Sequence, residues 1–416
     1  MLSAATIDSG ATAWVLVSTA LVAFMTPGLA FFYGGMVRSK NILGMLMQNI
    51  FAMGLISVLW AAIGFSLAFG GDGAYIGNFD FLFMKDLGTI AELPGYTKEF
   101  GLVVPIMVFF AFQMMFAVIT PALITGATAD RLKFSAYAVL IGVWGVVVYP
   151  TVAHWVFSPN GWLFKRGALD FAGGAVIHVN AGVAALAVIL VLGNRKGWPR
   201  EAMPPHNLPF TVLGTGILWF GWFGFNAGSA LGANGLAAQA LVNTHLAAAA
   251  AMCGWLVVEK LRAGHATTLG AASGAVAGLV AITPCAGFVG GFAPVIIGLT
   301  AGVVCYLALS LKTKFGFDDS LDVIAVHLVG GILGAVLLGF FADTKVNSLG
   351  FDGIFFGGGA DLLIDQLVAL GATIAFSFIV TWIIAKAIDA TIGLRVSSED
   401  ELVGLDQSQH AESAYQ

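Results

Sequence analysis

Long apolar stretches separated by short polar segments repeat along the whole chain. Eleven of them, near residues 12-33, 43-69, 100-127, 134-152, 172-192, 209-229, 236-258, 269-287, 291-310, 320-341 and 362-386, match the roughly 20 apolar residues that carry a helix across a bilayer. Nowhere do apolar and polar residues alternate with the period of two that a membrane β-barrel requires. The pattern therefore predicts an all-α integral membrane protein with eleven transmembrane helices. Ten spans plus one suggest two inverted five-helix halves, about 1-200 and 201-345, and a final helix near 362-386. Residues 1-389 form the membrane domain on this reading. The polar segment 390-416 is a tail, either disordered or laid against neighbouring loops.

Composition agrees. Of 416 residues, 59% are apolar and 10% charged, whereas a soluble domain is about a quarter charged. The 54 glycines suit helices that must approach closely in lipid. Net charge is −5 with no basic run, so nothing offers a grip on nucleic acid. Cys253, Cys285 and Cys305 lie in apolar stretches without metal-ligand spacing and read as small buried hydrophobes. The N-terminus lacks the basic n-region of a signal peptide, so the first stretch is expected to be a retained span. Thirteen of the 18 basic residues follow odd-numbered spans, leaving Lys85, Lys98, Lys165, Arg166 and Lys345 for the other side. The positive-inside rule then puts the N-terminus outside and the C-terminus in the cytoplasm of a cell that holds the protein in its inner or plasma membrane.

Ionisable residues inside a bilayer mark a pathway by default. His178 lies eight residues past Asp170, roughly 12 Å into the fifth span, and His327 lies roughly 10 Å into the tenth. A pseudo-two-fold axis would bring these two face to face. His245, without such a partner, reads as a core histidine or an outer-mouth residue. Asp170 is either an N-cap or a cation-attracting group at the outer mouth, and Asp322 reads as an N-cap of the tenth span. Phe112, Gln113 and Phe116 in the third span, and Trp222 to Ser229 in the sixth, place aromatic rings beside small polar groups. That combination suits a small ammonium-type cation.

At these residues the sequence resembles the Amt/Mep/Rh ammonium transporter family, and most closely its bacterial Amt branch. The resemblance rests on Asp170 to His178 running on to Gly193-Asn-Arg195, on Phe112 to Thr120, Trp222 to Ser229, Ala281 to Gly287 and Asp322 to His327, and on the tail from Gly393 to Tyr415. It spans essentially the whole chain. It implies a homotrimer with one channel-like pore per subunit. Ser229 and the outer aromatics Phe116, Phe157 and Trp222 would recruit ammonium, with Asp170 in support. Phe116 and Phe225 would form the gate, and His178, His327 and Gln113 would line the pore. No cofactor, metal or catalytic set is implied. A PII-type signalling protein would dock on the cytoplasmic face. One departure stands out: where the family has tryptophan after the fourth span, counting forward from His154 reaches Phe157. The loop is one residue longer than usual, so Trp155 or Trp162 are alternatives for that place.

A bare cation in hydrocarbon costs several kcal/mol, and desolvation favours the neutral amine. The expected sequence is capture of ammonium (or methylammonium), loss of a proton at the gate, and passage of ammonia past the histidines. Two other readings stay open: an ammonium sensor signalling through its tail, and a membrane redox protein with haem on the paired histidines. The tail is expected to couple to gating by pairing its carboxylates with Lys260, Arg262, Lys312 and Lys314.

Overall fold

The computed structural model describes residues 7–88, 93, 95–96 and 101–415; Lys98 and the first six residues, used above for topology and for the leader, lie outside them. Among the described residues there are helices and no strands, with one isolated bridge between Leu132 and Arg395. Among the described residues, ten helices are long and apolar enough to cross a membrane: α1 (Ser9–Met36), α2 (Ser39–Phe69), α3 (Ile106–Thr128), α4 (Phe134–Arg166), α5 (Gly174–Leu192), α6 (Leu208–Gly228), α7 (Gly235–Ala263), α9 (Ala293–Phe315), α10 (Ile324–Phe341) and α11 (Asp361–Thr391). Between α7 and α9 lies a shorter apolar helix, α8 (Thr268–Ile282), where a span over 269-287 was expected. Pro284, which has no N–H to give a helical carbonyl, follows just beyond its end. The tail adds α12 (Ser398–Val403) and α13 (Leu405–His410).

Glycine sets how closely the helices approach. A Cβ on Gly214 of α6 would stand 2.2 Å from the backbone nitrogen of Phe32 on α1, and one on Gly302 of α9 would stand 2.1 Å from the carbonyl of Ala251 on α7. Without a hydrophobic drive between helices in lipid, such backbone contact is what holds them together. The expected fourth span, 134-152, is broken: a helix over Phe134–Val147 gives way to one over Tyr149–Phe157, with Pro150 in its first turn.

Several basic residues at one end of the molecule are buried instead of solvated. Arg195 pairs in two places with Asp318 at 2.8 Å and reaches Asp130 at 3.3 Å, which Arg38 also meets at 3.0 Å. Arg131, fully buried, donates to the carbonyls of Gly193, Ala127, Ala129 and Asp318 and to Ser320 Oγ. Burial presses its guanidinium down to about 10 while Asp318 opposes the shift. Each charge is paired and hydrogen-bonded, as burial demands.

The tail lies ordered against this end, but not on the expected partners. Lys312 pairs with Asp322 at 2.6 Å. The tail's carboxylates go elsewhere: Glu401 accepts from the Lys196 backbone N–H at 2.7 Å and pairs with the Arg395 guanidinium at 2.6 Å, and Asp406 accepts from the Gly44 backbone N–H at 2.8 Å. Arg395 donates to the carbonyl of Asn194 at 2.7 Å, and Leu405 N–H to Asn41 Oδ1 at 2.8 Å. Flexible lysines offer a point charge that water competes for, whereas loop N–H groups need an acceptor anyway.

Candidate functional site

Both intramembrane histidines sit in π-turns, Gly174–Val179 at the start of α5 and Ile324–Val329 at the start of α10. Such insertions into an α-helix recur at functional sites. Each turn is preceded by a carboxylate that lies eight residues before the histidine. Asp170 accepts the N–H groups of Gly173, Gly174, Ala175 and Val176 at 2.6–3.2 Å. The counterpart in the second turn is Asp319, which accepts from Val323 at 3.1 Å and Ile324 at 2.7 Å. Asp170 thus takes the N-cap alternative. Asp322, expected as the cap of the tenth span, is not one: its backbone sits at φ 65° and its carboxylate turns out to Lys312.

Four residues after each histidine stands a glycine, Gly182 or Gly331. A Cβ on Gly182 would meet the Leu328 nitrogen at 2.6 Å, and one on Gly331 would meet Val179 Cγ2 at 2.9 Å and its nitrogen at 3.2 Å. Each histidine's helix therefore lies against the residue that follows the other histidine. This close, reciprocal crossing brings the imidazoles together, with Nδ1 atoms 3.2 Å apart, ring centroids at 5.3 Å and planes 19° from parallel. Both are buried. A hydrogen bond between two Nδ1 atoms needs one protonated and one bare, so the neutral pair holds opposite tautomers. The Nε2 of His178 has no hydrogen-bond partner.

Trp222 stacks on His178 at 5.3 Å and 16°, fixed by a 2.9 Å bond from its indole N–H to Thr283 Oγ1. It lines the narrow chamber of about 10 Å³ at the histidines, together with Phe225. Trp222 was expected among the recruiting residues; it stands instead past the Phe116–Phe225 pair. Those two rings, with centroids 4.4 Å apart, separate the chamber from a vestibule of about 460 Å³ at the end of the molecule opposite the tail. A chamber of this size admits about one water-sized molecule. Haem has no room beside stacked imidazoles in such a space, so that reading falls.

The vestibule gathers Gln113, Phe116, Phe157, Asp170 and Ser229. Gln113 is buried and its Oε1 has no partner. Ser229 Oγ donates to the Phe225 carbonyl at 2.8 Å, leaving its lone pairs to accept. Phe157 lines this space, while Trp155 is tied by its indole N–H to the Tyr75 carbonyl at 2.7 Å and packs on Trp162. In the single chain His245 is exposed on α7, its ring 5.3 Å from Trp219. Of the cysteines, Cys285 and Cys305 are buried and Cys253 is exposed. Sequence reasoning missed Asp319, Gly182 and Gly331, although the shared spacing from aspartate to histidine to glycine in both halves carried the signal.

Ten long apolar helices, pierced by a narrow route with two buried imidazoles and an open aromatic mouth, define a multi-pass membrane transporter for a small solute. The chain belongs to the ammonium transporter family, whose model matches residues 13–415. An ammonium transporter of Mycobacterium tuberculosis (strain H37Rv, ATCC 25618) is 50% identical over 98% of this chain and 90% of its own length. The crystal structure of Candida albicans Mep2 matches with a TM-score of 0.88 at 35% identity, covering 99% of this chain and 91% of that one. A solved sensor Amt protein matches with a TM-score of 0.87 at 29% identity, covering 97% and 98%. Ammonium transport is the function.

Proposed function

We propose that ammonium is captured in the vestibule by Ser229, Phe116 and Phe157, with Asp170 holding the adjoining helix start, that it gives up a proton near Gln113, and that ammonia passes Phe116, Phe225, Trp222, His178 and His327. The observation carrying this reading is the buried imidazole pair, with Nδ1 atoms 3.2 Å apart, directly behind the closed phenyl pair. A neutral molecule with three N–H donors and one lone pair can exchange hydrogen bonds with imidazoles that both donate and accept. A cation there faces an apolar chamber with no counter-charge. The proton travels separately along the imidazoles.

On this proposal α8 crosses with the ten longer helices, giving eleven spans in two inverted halves. The vestibule faces outward, and the tail face, with its thirteen basic residues, lies in the cytoplasm beneath an inner or plasma membrane. The working unit is a homotrimer with one pore per subunit, and a PII-type protein docks on the tail face. Reconstitution in liposomes tests the transport steps: an ammonium gradient should raise flux over empty vesicles, with potassium unable to replace it. Equal currents with potassium overturn the selective route. Ammonium binding without flux favours the sensor reading instead.

A further inference from the structure

The vestibule is far larger than its expected cargo. About 460 Å³ lies within the range of about 300–1,000 Å³ typical of small-molecule pockets, whereas the chamber behind the phenyl pair holds about 10 Å³. Its polar lining is also thin. Ammonium brings four N–H donors, but the side-chain acceptors are mostly spent. The two Asp170 oxygens each take two backbone N–H groups. Asn234 Oδ1 accepts from Ala237, and Asn347 Oδ1 from Leu349. Gln113 Oε1 is buried and unpartnered, and Ser229 keeps lone pairs to accept. Phenyl rings supply the rest of the surface, including Phe112, Phe116, Phe157, Phe171, Phe288 and Phe351.

A wall of rings with few open acceptors can hold a cation made only of N–H bonds but leaves most of its donors unanswered. It is well matched to one whose nitrogen is clothed in methyl groups, because ring faces attract a cation without needing a donor. We infer that the vestibule binds small, fully alkylated ammonium cations, which occupy it without being conducted. The Phe116–Phe225 pair, closed at 4.4 Å between centroids, stops a cation that can neither shrink nor shed a proton. Such a cation therefore competes with ammonium at the mouth. This deepens the proposed role of the vestibule and rests on it.

Isothermal titration calorimetry on the purified full chain in detergent provides the test. The probes are tetramethylammonium chloride, choline chloride and the neutral choline isostere 3,3-dimethylbutan-1-ol. Both cations should bind with one site per chain, and the neutral isostere about tenfold more weakly or not at all. Phe157→Leu and the more exposed Phe351→Leu should each weaken choline binding by about two- to tenfold. Glycerophosphocholine distinguishes the source of the cation: tighter binding than choline assigns a lipid headgroup, weaker binding a free solute. No cation binding, equal binding of the isostere, or indifference to both substitutions overturns the inference. Ammonium flux is measured separately. Flux without cation binding defeats this inference alone, and cation binding without flux defeats the transport steps alone.

Discussion

The two histidine-bearing helices are built on one plan and end in different surroundings. In both, an aspartate precedes a π-turn, a histidine follows eight residues later, and a glycine four residues further on rests against the other helix. At the α5 end, Asp170 spends both oxygens on four backbone N–H groups beside an aromatic vestibule. At the α10 end, Asp319 takes only two such bonds and lies among charges: Lys312 donates to its carbonyl at 3.3 Å, and a cavity of about 170 Å³ there is lined by Arg38, Arg195, Lys312, Asp130 and Asp322. The shared plan fixes where the imidazoles meet. The differences give each mouth its own lining, aromatic rings at one end and paired charges at the other.

Breaking the shared part should have the largest effect. His178→Ala and His327→Ala should each cut selective ammonium flux about a hundredfold or more, the scale of a lost proton-handling group, while the purified protein keeps its helical circular dichroism. Normal flux in both variants would refute the twin-imidazole route. The crossing comes next. Gly182→Ala pushes a methyl against backbone and should cost about 1–3 kcal/mol as an overpacked contact. Gly331→Ala meets backbone less closely, the Gly174 carbonyl at 3.0 Å against the Leu328 nitrogen at 2.6 Å for Gly182, so its loss of thermal stability in detergent should be the smaller of the two.

Differences between the halves can be sharpened with pH. Burial, with Asp322 adding to it, pushes Asp319 up to about 7, against about 3.9 in an unfolded chain. Across that window the folded protein keeps a proton that the unfolded chain has released, so stability should fall as pH rises from about 4 to 7 and then level off. Melting curves of Asp319→Asn should lack this slope; an unchanged slope would assign it to another group. The smallest effect is expected at the vestibule. Tryptophan is the best ring for a cation, so Phe157→Trp should lower the half-saturating ammonium concentration about two- to tenfold. Trp155→Phe and Trp162→Phe should leave it unchanged, and a response in either one alone would move the recruiting ring to that position.

Much of this was legible in the chain itself. Helix after helix followed from apolar length, and the meeting of His178 with His327 followed from matching depth in matching spans. Phe116, Gln113 and Ser229, named from the resemblance, line the vestibule, and Phe225 lines the chamber. What escaped reading depends on backbone geometry. Asp322 lies nearest to the tenth span and looks like its cap, but a left-handed φ turns it away and leaves the task to Asp319. Pro150 and Pro284 interrupt helices that hydrophobicity alone would run on. The exposure of His245 and Cys253 in a single chain is equally invisible to hydropathy, which reports burial from water but not contact with protein.

The tail's moorings bear on how this surface tolerates change. Glu401 and Asp406 hold the N–H groups of Lys196 and Gly44, Val396 donates to the Arg131 carbonyl, and Leu394 accepts from the Lys133 N–H. Every residue but proline offers those groups, so at these points the grip does not depend on loop side chains; Asn41, Lys40, Lys133 and His206, whose side chains also hold the tail, are the exceptions. Away from those four side chains, random substitution in the loops can drift far before the tail lets go, whereas a single inserted or deleted residue shifts the whole row of attachment points at once. For an engineer, swapping tails between homologous chains should succeed where loop lengths agree and fail where they differ, however similar the letters.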